Sequence, residues 1–221
     1  ISAGMIAKSG AIEGVSFEEG AMHLRVIGNV LPQGICGSGL ADLTAVLLQS
    51  GIIDSAGVIS PPAADNARKG SFEGRFIEKK DVYDFIIADP GESQSGRSII
   101  LTQKDVRELQ LAKAAVAAGI QTLLNEMGIT MDDIDQVCLA GALGNYIHPL
   151  SAMRIGLIPN LPLEKVRVIG NAASTGASLA LLSKSHWRLA NELAASLEHV
   201  ELSGNPEFNE LFIEKMDFPP E

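Results

Sequence analysis

The sequence predicts an α/β fold in which strands alternate with helices and lie parallel to their neighbours. Two consecutive units carry that expectation. "DQVCLAG", residues 135–141, and "VRVIG", residues 166–170, are short apolar strands that run through glycine and Asn into helical patterns. A third handover comes earlier, where the strand-like "MHLRVIG" at 22–28 is followed by "GICGSGL" at 34–40 and then a helix. Sheets built this way gather their ligands in loops beyond the strand C-termini.

The elements follow in order. Leu24 and Val26 alternate with polar neighbours, and "NVLPQG" behind them is turn-forming. Leu40, Leu43, Val46 and Leu47 recur at spacings of three and four, which places a helix from Gly39 to Ser50, stopped by Gly51. Residues 52 to 100 contain two irregular stretches, "SPPAADNARKG" and "ADPGESQSGRS", flanking an alternating segment that reads as strands. A helix is expected over 102–128, with Thr102 as N-cap and Asp105 in the box position. Its apolar face would carry Val106, Leu109, Val116, Ile120, Leu123 and Met127, while the small side chains from Ala112 to Gly119 require a close neighbour. After the buried strand at 135–141 comes a short helix, and after 166–170 a helix rich in Ala and Leu. The tail reads as a strand, a turn at Gly204 to Pro206, and a short helix with Phe208, Leu211, Phe212 and Met216. The whole reads as one α/β domain over 1–221 with an inserted hairpin-like region at about 52–100.

Composition narrows the functions. With 46% hydrophobic and 20% charged residues, the chain suits a globular protein, and a net charge of -10 gives nucleic acid no reason to adhere. Its apolar runs fall short of the roughly 20 residues of a membrane span. Two cysteines, Cys36 and Cys138, support neither a disulfide framework nor a cysteine-built metal site, and no carboxylate or His pattern has metal-ligand spacing. A cytoplasmic protein is expected. The opening "ISAGMIAKSG" reads as a chain already under way, so a fragment is expected.

The glycine-rich stretch "GICGSGL" lacks the Lys of a Walker loop, and glycines at 34, 37 and 39 do not match G-x-G-x-x-G. As a nucleophile elbow it fits poorly, which leaves Cys36 as a small buried thiol or, less simply, a reactive one. "LAGALGN", 139–145, offers Gly141 and Gly144 for close approach of a flat base or ribose and Asn145 as donor and acceptor; the alternative is an ordinary left-handed turn before a helix. Lys104, Arg107 and Gln110 form a polar helix face that either borders a cleft or is simply solvated.

Five segments in order, "ISAGMIAKSGAIEGV", "GICGSGLADLTAVLLQSGIID", "TQKDVRELQLAKAAVAAGI", "CLAGALGNYIHPLSAMRIGLIP" and "VRVIGNAASTGASLALL", resemble the C-terminal part of the reductive activators of corrinoid-dependent enzymes. The resemblance implies the RNase H-like, actin-like ATPase fold of the acetate and sugar kinase, Hsp70 and actin superfamily. That is a mixed sheet flanked by helices, with this chain a fragment of a two-lobed protein. It also implies an ATP-dependent step, with Mg, in which an iron-sulfur protein returns a Co(II) corrinoid to Co(I). The cluster would lie in a segment outside this chain. The superfamily's D-x-G-T phosphate loops are missing here, so catalytic residues are expected upstream of Ile1. The adenosine motif of the superfamily falls on Gly141, Ala142, Gly144 and Asn145. Its adenine-contacting helix suggests Lys104, Arg107 and Gln110, and Gly37, Ser38 and Gly39 match a family segment facing the cleft. The implied partner is a corrinoid protein or corrinoid-dependent methyltransferase, and the resemblance leaves a homodimer open. Other readings are a non-catalytic interaction scaffold and a small-molecule kinase of the same fold.

Overall fold

The computed structural model describes residues 1–61, 72–80 and 82–220. Most of the irregular stretch at 60–70 lies outside the described residues.

Strand β1 (Ala11–Glu18) pairs antiparallel with β2 (Ala21–Val26) and, along its other edge, parallel with the short β3 (Gly34–Ile35). Glu19 and Gly20 both have positive φ, 51° and 80°, as a tight two-residue hairpin requires. Helix α1 (Gly37–Gln49) packs on β1, and every residue from Ser38 to Leu47 is buried. A helix covered on all sides must sit in the core. Its approach to the sheet depends on glycine: a Cβ at Gly39 would be driven into the Ile12 carbonyl, and one at Gly34 would lie 2.5 Å from the Ala3 oxygen. Gly51, at φ +66°, stops the helix as its position predicts.

Within residues 52–100 the described chain contains the expected hairpin and one strand more. β4 (Phe76–Lys79), β5 (Val82–Ala88) and β6 (Ile99–Leu101) form an antiparallel sheet in that order. Phe85 packs edge-on to Phe72 and Phe76, and Phe72 stacks on Phe17 of β1 at 5.1 Å. Through these rings the β4–β5–β6 sheet joins the same apolar core as Ile12, Leu43 and Leu47.

Helix α2 (Gln103–Met127) begins with the predicted box: Thr102 Oγ1 accepts from the Asp105 amide at 3.1 Å, and Asp105 Oδ2 accepts from the Thr102 amide at 2.9 Å. Its inward face, however, is rotated from the expected one. Val116, Leu123 and Met127 are exposed, whereas Val106, Gln110, Lys113, Ala114, Ala118 and Thr122 are buried. Ala114 and Ala118 have no exposed surface, as their small size foretold. Helix α7 (Pro206–Glu214) packs against α2, and Leu202 sits 3.6 Å from where a Cβ of Gly119 would be. The strand expected before α7 is absent, because residues 199–202 run irregularly from one helix to the next with no ladder beside them.

β7 (Val137–Ala140) and β8 (Val166–Gly170) form a parallel pair, as the tandem units predict. Between them lie α3 (Gly141–Tyr146) and α4 (Pro149–Arg154); after them come α5 (Ala172–Leu182) and α6 (Lys184–Ser196). The single Ala- and Leu-rich helix is thus two, broken at Ser183, whose hydroxyl caps α6. The buried strand expected at 135–141 is half open: Cys138 and Ala140 are exposed in β7, as are Val168 and Ile169 in β8. Their apolar character reads as burial, but among the described residues no layer covers that face. Parallel and antiparallel pairs together make the mixed sheet hydrogen bonding of the predicted class, divided among three sheets in the described residues.

Gly39→Ala should lower the unfolding free energy by about 1–3 kcal/mol, the usual cost of overpacking. Gly91→Ala, whose Cβ meets nothing within 4 Å, should leave the urea midpoint unchanged, and a comparison of the two denaturation curves checks both.

Candidate functional site

The strand ends of β7 and β8 place the residues of "LAGALGN" beside those that follow β8. β7 and β8 lie side by side, and each turns into its helix through a left-handed glycine, Gly141 at φ +81° and Gly170 at φ +67°. An L side chain there would cost roughly 1–2 kcal/mol. A Cβ at Gly141 would meet nothing within 4 Å, so the backbone faces open space. The exposed Asn145 brings its Oδ1 to 3.8 Å from where a Cβ of Gly170 would be, so it lies beside the second loop. Asn171, one residue on, caps α5 by accepting from the Ser174 amide at 3.1 Å.

Gly144 plays another part than Gly141. A Cβ there would lie 3.0 Å from the Leu139 carbonyl carbon, so Gly144 lets α3 fold back on its own strand. Ala142 is exposed beside it.

The "GICGSGL" turn meets this region at one point. A Cβ on the exposed Gly37 would be 3.1 Å from Leu143 Cδ1, which rests α3 against the start of α1. Cys36, the N-cap residue, makes no side-chain cap to α1. Instead its thiol donates to the Ile12 carbonyl at 3.4 Å, and Ser38 Oγ donates to the Glu13 carbonyl at 2.8 Å. Both side chains are buried and turned to the sheet, which gives them packing roles. Gly37 is therefore the part of this turn that faces outward, while Ser38 and Gly39 face the core.

Lys104, Arg107 and Gln110 lie in the first turns of α2. Arg107 donates to the Ala56 carbonyl and to Gln110 Oε1, and Gln110 Nε2 donates to Ala56 O at 3.2 Å. Gln103 adds a bond from Nε2 to the Gly57 carbonyl at 2.6 Å. These polar groups hold the 54–57 loop, while Lys104 is exposed.

One buried cation escaped the sequence reading. Lys113, only 2% exposed, donates from Nζ to the Asp217 carbonyl and sits 5.3 Å from the centre of the Phe218 ring. The Phe218 amide in turn donates to the Ser55 carbonyl at 2.8 Å. Burial pushes the ammonium down to about 8, with the Asp217 carboxylate opposing the shift and Lys215 reinforcing it. The available signal was position: Lys113 lies three residues from Gln110 on the stripe that the alanines bury. At the helix start, burial pushes the Asp105 carboxyl up. Hydrogen bonds from the backbone and hydroxyls of Thr102 and Ser2 outweigh that and hold it below the ordinary value.

Among the described residues, no group of three or more His, Cys, Asp or Glu could hold a metal ion, and no helix is long and apolar enough to cross a membrane.

The parallel strand ends and paired glycine turns belong to an α/β domain of the ASKHA class, the class of sugar kinases, Hsp70 and actin. The chain belongs to the family described as the C-terminal domain of RACo, the ASKHA domain, whose model matches residues 1–221. It is 40% identical over 214 residues to the corrinoid activation enzyme RamQ of Eubacterium limosum, covering 96% of this chain and 36% of that protein. It is also 29% identical over 168 residues to the [Co(II) methylated amine-specific corrinoid protein] reductase of Methanosarcina barkeri, covering 75% of this chain and 29% of that one. A solved structure of a reductive activator for corrinoid, iron-sulfur protein superposes with a TM-score of 0.85 at 35% identity, over 97% of this chain and 33% of that one. The chain thus spans about a third of the length of these relatives.

Because burial in the folded chain pushes Lys113 from its ordinary 10.5 down to about 8, the unfolded chain holds the proton between these values while the folded one has lost it. Stability should therefore gain a rising contribution with pH across that window. Lys113→Met should remove this rise, as read from urea midpoints on either side of about 8.

Proposed function

We propose that this chain supplies the adenosine side of an ATP-binding domain in a reductive activator that returns Co(II) corrinoid proteins to Co(I). The observation that carries the reading is the pair of left-handed glycines, Gly141 and Gly170, closing adjacent parallel strands with Asn145 between them.

These residues fit a nucleotide on the base and ribose side. Gly141 leaves open space that a flat ring could enter, Ala142 and Asn145 are exposed, and Asn145 can both donate and accept. Gly37 borders the same junction through Leu143. Nothing comparable serves the phosphates, since the chain has no D-x-G-T loop; those contacts and Mg belong to other parts of the full-length protein. When bound, ATP would supply the free energy that makes an uphill electron transfer proceed. Residues 141–145 would contribute by binding one arrangement of the domain better than another, since a ligand shifts an equilibrium only through such a difference.

The two cysteines do not fit an iron-sulfur cluster. Such clusters are held by several thiolates, commonly four, and here Cys36 is buried against β1 while Cys138 lies on β7. The cluster therefore belongs outside this chain, as the relatives' extra length allows. The partner is a corrinoid protein or a corrinoid-dependent methyltransferase, and a cytoplasmic setting suits two unpaired thiols.

The test uses the full-length protein with Asn145→Leu, which spares the packing role of Gly144. Loss of its hydrogen bonds should weaken ATP by about tenfold in calorimetry and reduce the ATP dependence of Co(II) reduction to match. Unchanged ATP affinity would remove the assignment of this loop, and a flat ATP titration of the parent protein would favour a scaffold instead.

A further inference from the structure

Helix α1 carries a carboxylate that its own fold does not satisfy. Asp42 is 7% exposed; its Oδ2 accepts the Val15 amide at a long 3.4 Å, and its Oδ1 is buried with no hydrogen-bond partner among the described residues. A buried acceptor left unpaired costs about 1–3 kcal/mol, and more when charged. Such a cost needs a cause, and the surroundings supply one.

Asp42 lines a trough of about 650 Å³ between α1, α4 and the β1–β2 hairpin. That volume lies within the ordinary range of small-molecule sites. Asp42, Ala45, Val46 and Gln49 line it at helical spacing, and Arg154 of α4 lines it opposite, donating to Gln49 Oε1 at 3.3 Å. Asp42 and Gln49 are seven residues apart, or about 10 Å along the helix axis. The trough therefore has a carboxylate toward one end, a guanidinium toward the other, and the apolar Ala45 and Val46 between. No carboxylate pairs with Arg154 among the described residues. His23, His148 and Arg25 also reach the lining, and Arg25 is paired with Glu13 at 3.1 Å.

We infer that this trough binds a small elongated zwitterion, with a cationic amine donating to Asp42 Oδ1, a carboxylate held by Arg154, and an aliphatic chain lying over Ala45 and Val46. An anion alone would leave Asp42 unpaired, and an amine alone would leave Arg154 without its counter-charge. The two fixed charges thus select for both ends of the ligand and for its length. The inference does not rest on the nucleotide reading, because none of these residues belongs to the strand-end loops.

The experiment titrates the full-length protein calorimetrically with 6-aminohexanoate, hexanoate and hexylammonium. The zwitterion should bind at least about tenfold more tightly than either single-charge analogue, the factor expected for one charge-assisted hydrogen bond. Arg154→Gln, on the exposed surface of α4, should reduce 6-aminohexanoate to the level of hexylammonium, and Asp42→Asn should reduce it to the level of hexanoate. If Asp42→Asn fails to fold because the Val15 contact matters, the Arg154→Gln comparison still decides. Equal affinity for the three probes, no saturable heat with any of them, or unchanged 6-aminohexanoate binding in Arg154→Gln would overturn the inference.

Discussion

The close seating of α1 on β1 sets the rest of the arrangement. It exists because Gly39 has no Cβ to meet the Ile12 carbonyl, and because the Cys36 thiol and Ser38 hydroxyl turn inward to the Ile12 and Glu13 carbonyls. With the helix held at that distance, its start at Gly37 becomes the ledge on which Leu143 and α3 rest. Its side from Asp42 to Gln49 then faces the hairpin and α4. The glycine-rich turn resembles a phosphate cradle in composition, yet its polar atoms are used to fix a helix to a sheet. The helix so fixed supports α3 through Gly37 and Leu143.

A second constraint comes from polar groups buried on α2. Gln110 and Arg107 hold the 54–57 loop, and Lys113 holds the C-terminal tail through the Asp217 carbonyl while Phe218 returns a backbone bond to Ser55. Loop and tail are thereby tied to one helix and to each other. Burying an ammonium is costly, and its lowered proton affinity expresses that cost. In exchange, an irregular segment is given a fixed position that apolar contacts alone would specify less well.

Where local rules decide the structure, the sequence was easy to read. The Thr102–Asp105 box, the Gly51 stop and the two strand-glycine-helix units depend on neighbours within a few residues, and all are present. Features that depend on distant partners were harder. The inward stripe of α2 includes Gln110, Lys113 and Thr122, which an apolar count places outside, and Val116, Leu123 and Met127, which it places inside, are exposed. Cys138 and Ala140 belong to a strand that reads as buried, but burial also needs a covering layer, and both are exposed. Within the candidate site, "LAGALGN" was visible as a loop, but its two glycines do different work: Gly141 by conformation and openness, Gly144 by contact with Leu139. Arg107 and Gln110 hold the 54–57 loop, a use that spacing alone does not separate from a solvated or ligand-facing polar face.

The central claim is that the open ends of β7 and β8 form the adenosine side of an ATP site. Hydrogen exchange on the full-length protein, with and without ATP, tests it most directly. The account predicts that nucleotide slows exchange at the amides of residues 141–146 and 170–174 while those of 54–57 hardly change. Slowed exchange at 54–57 with the two strand ends unaffected would contradict it.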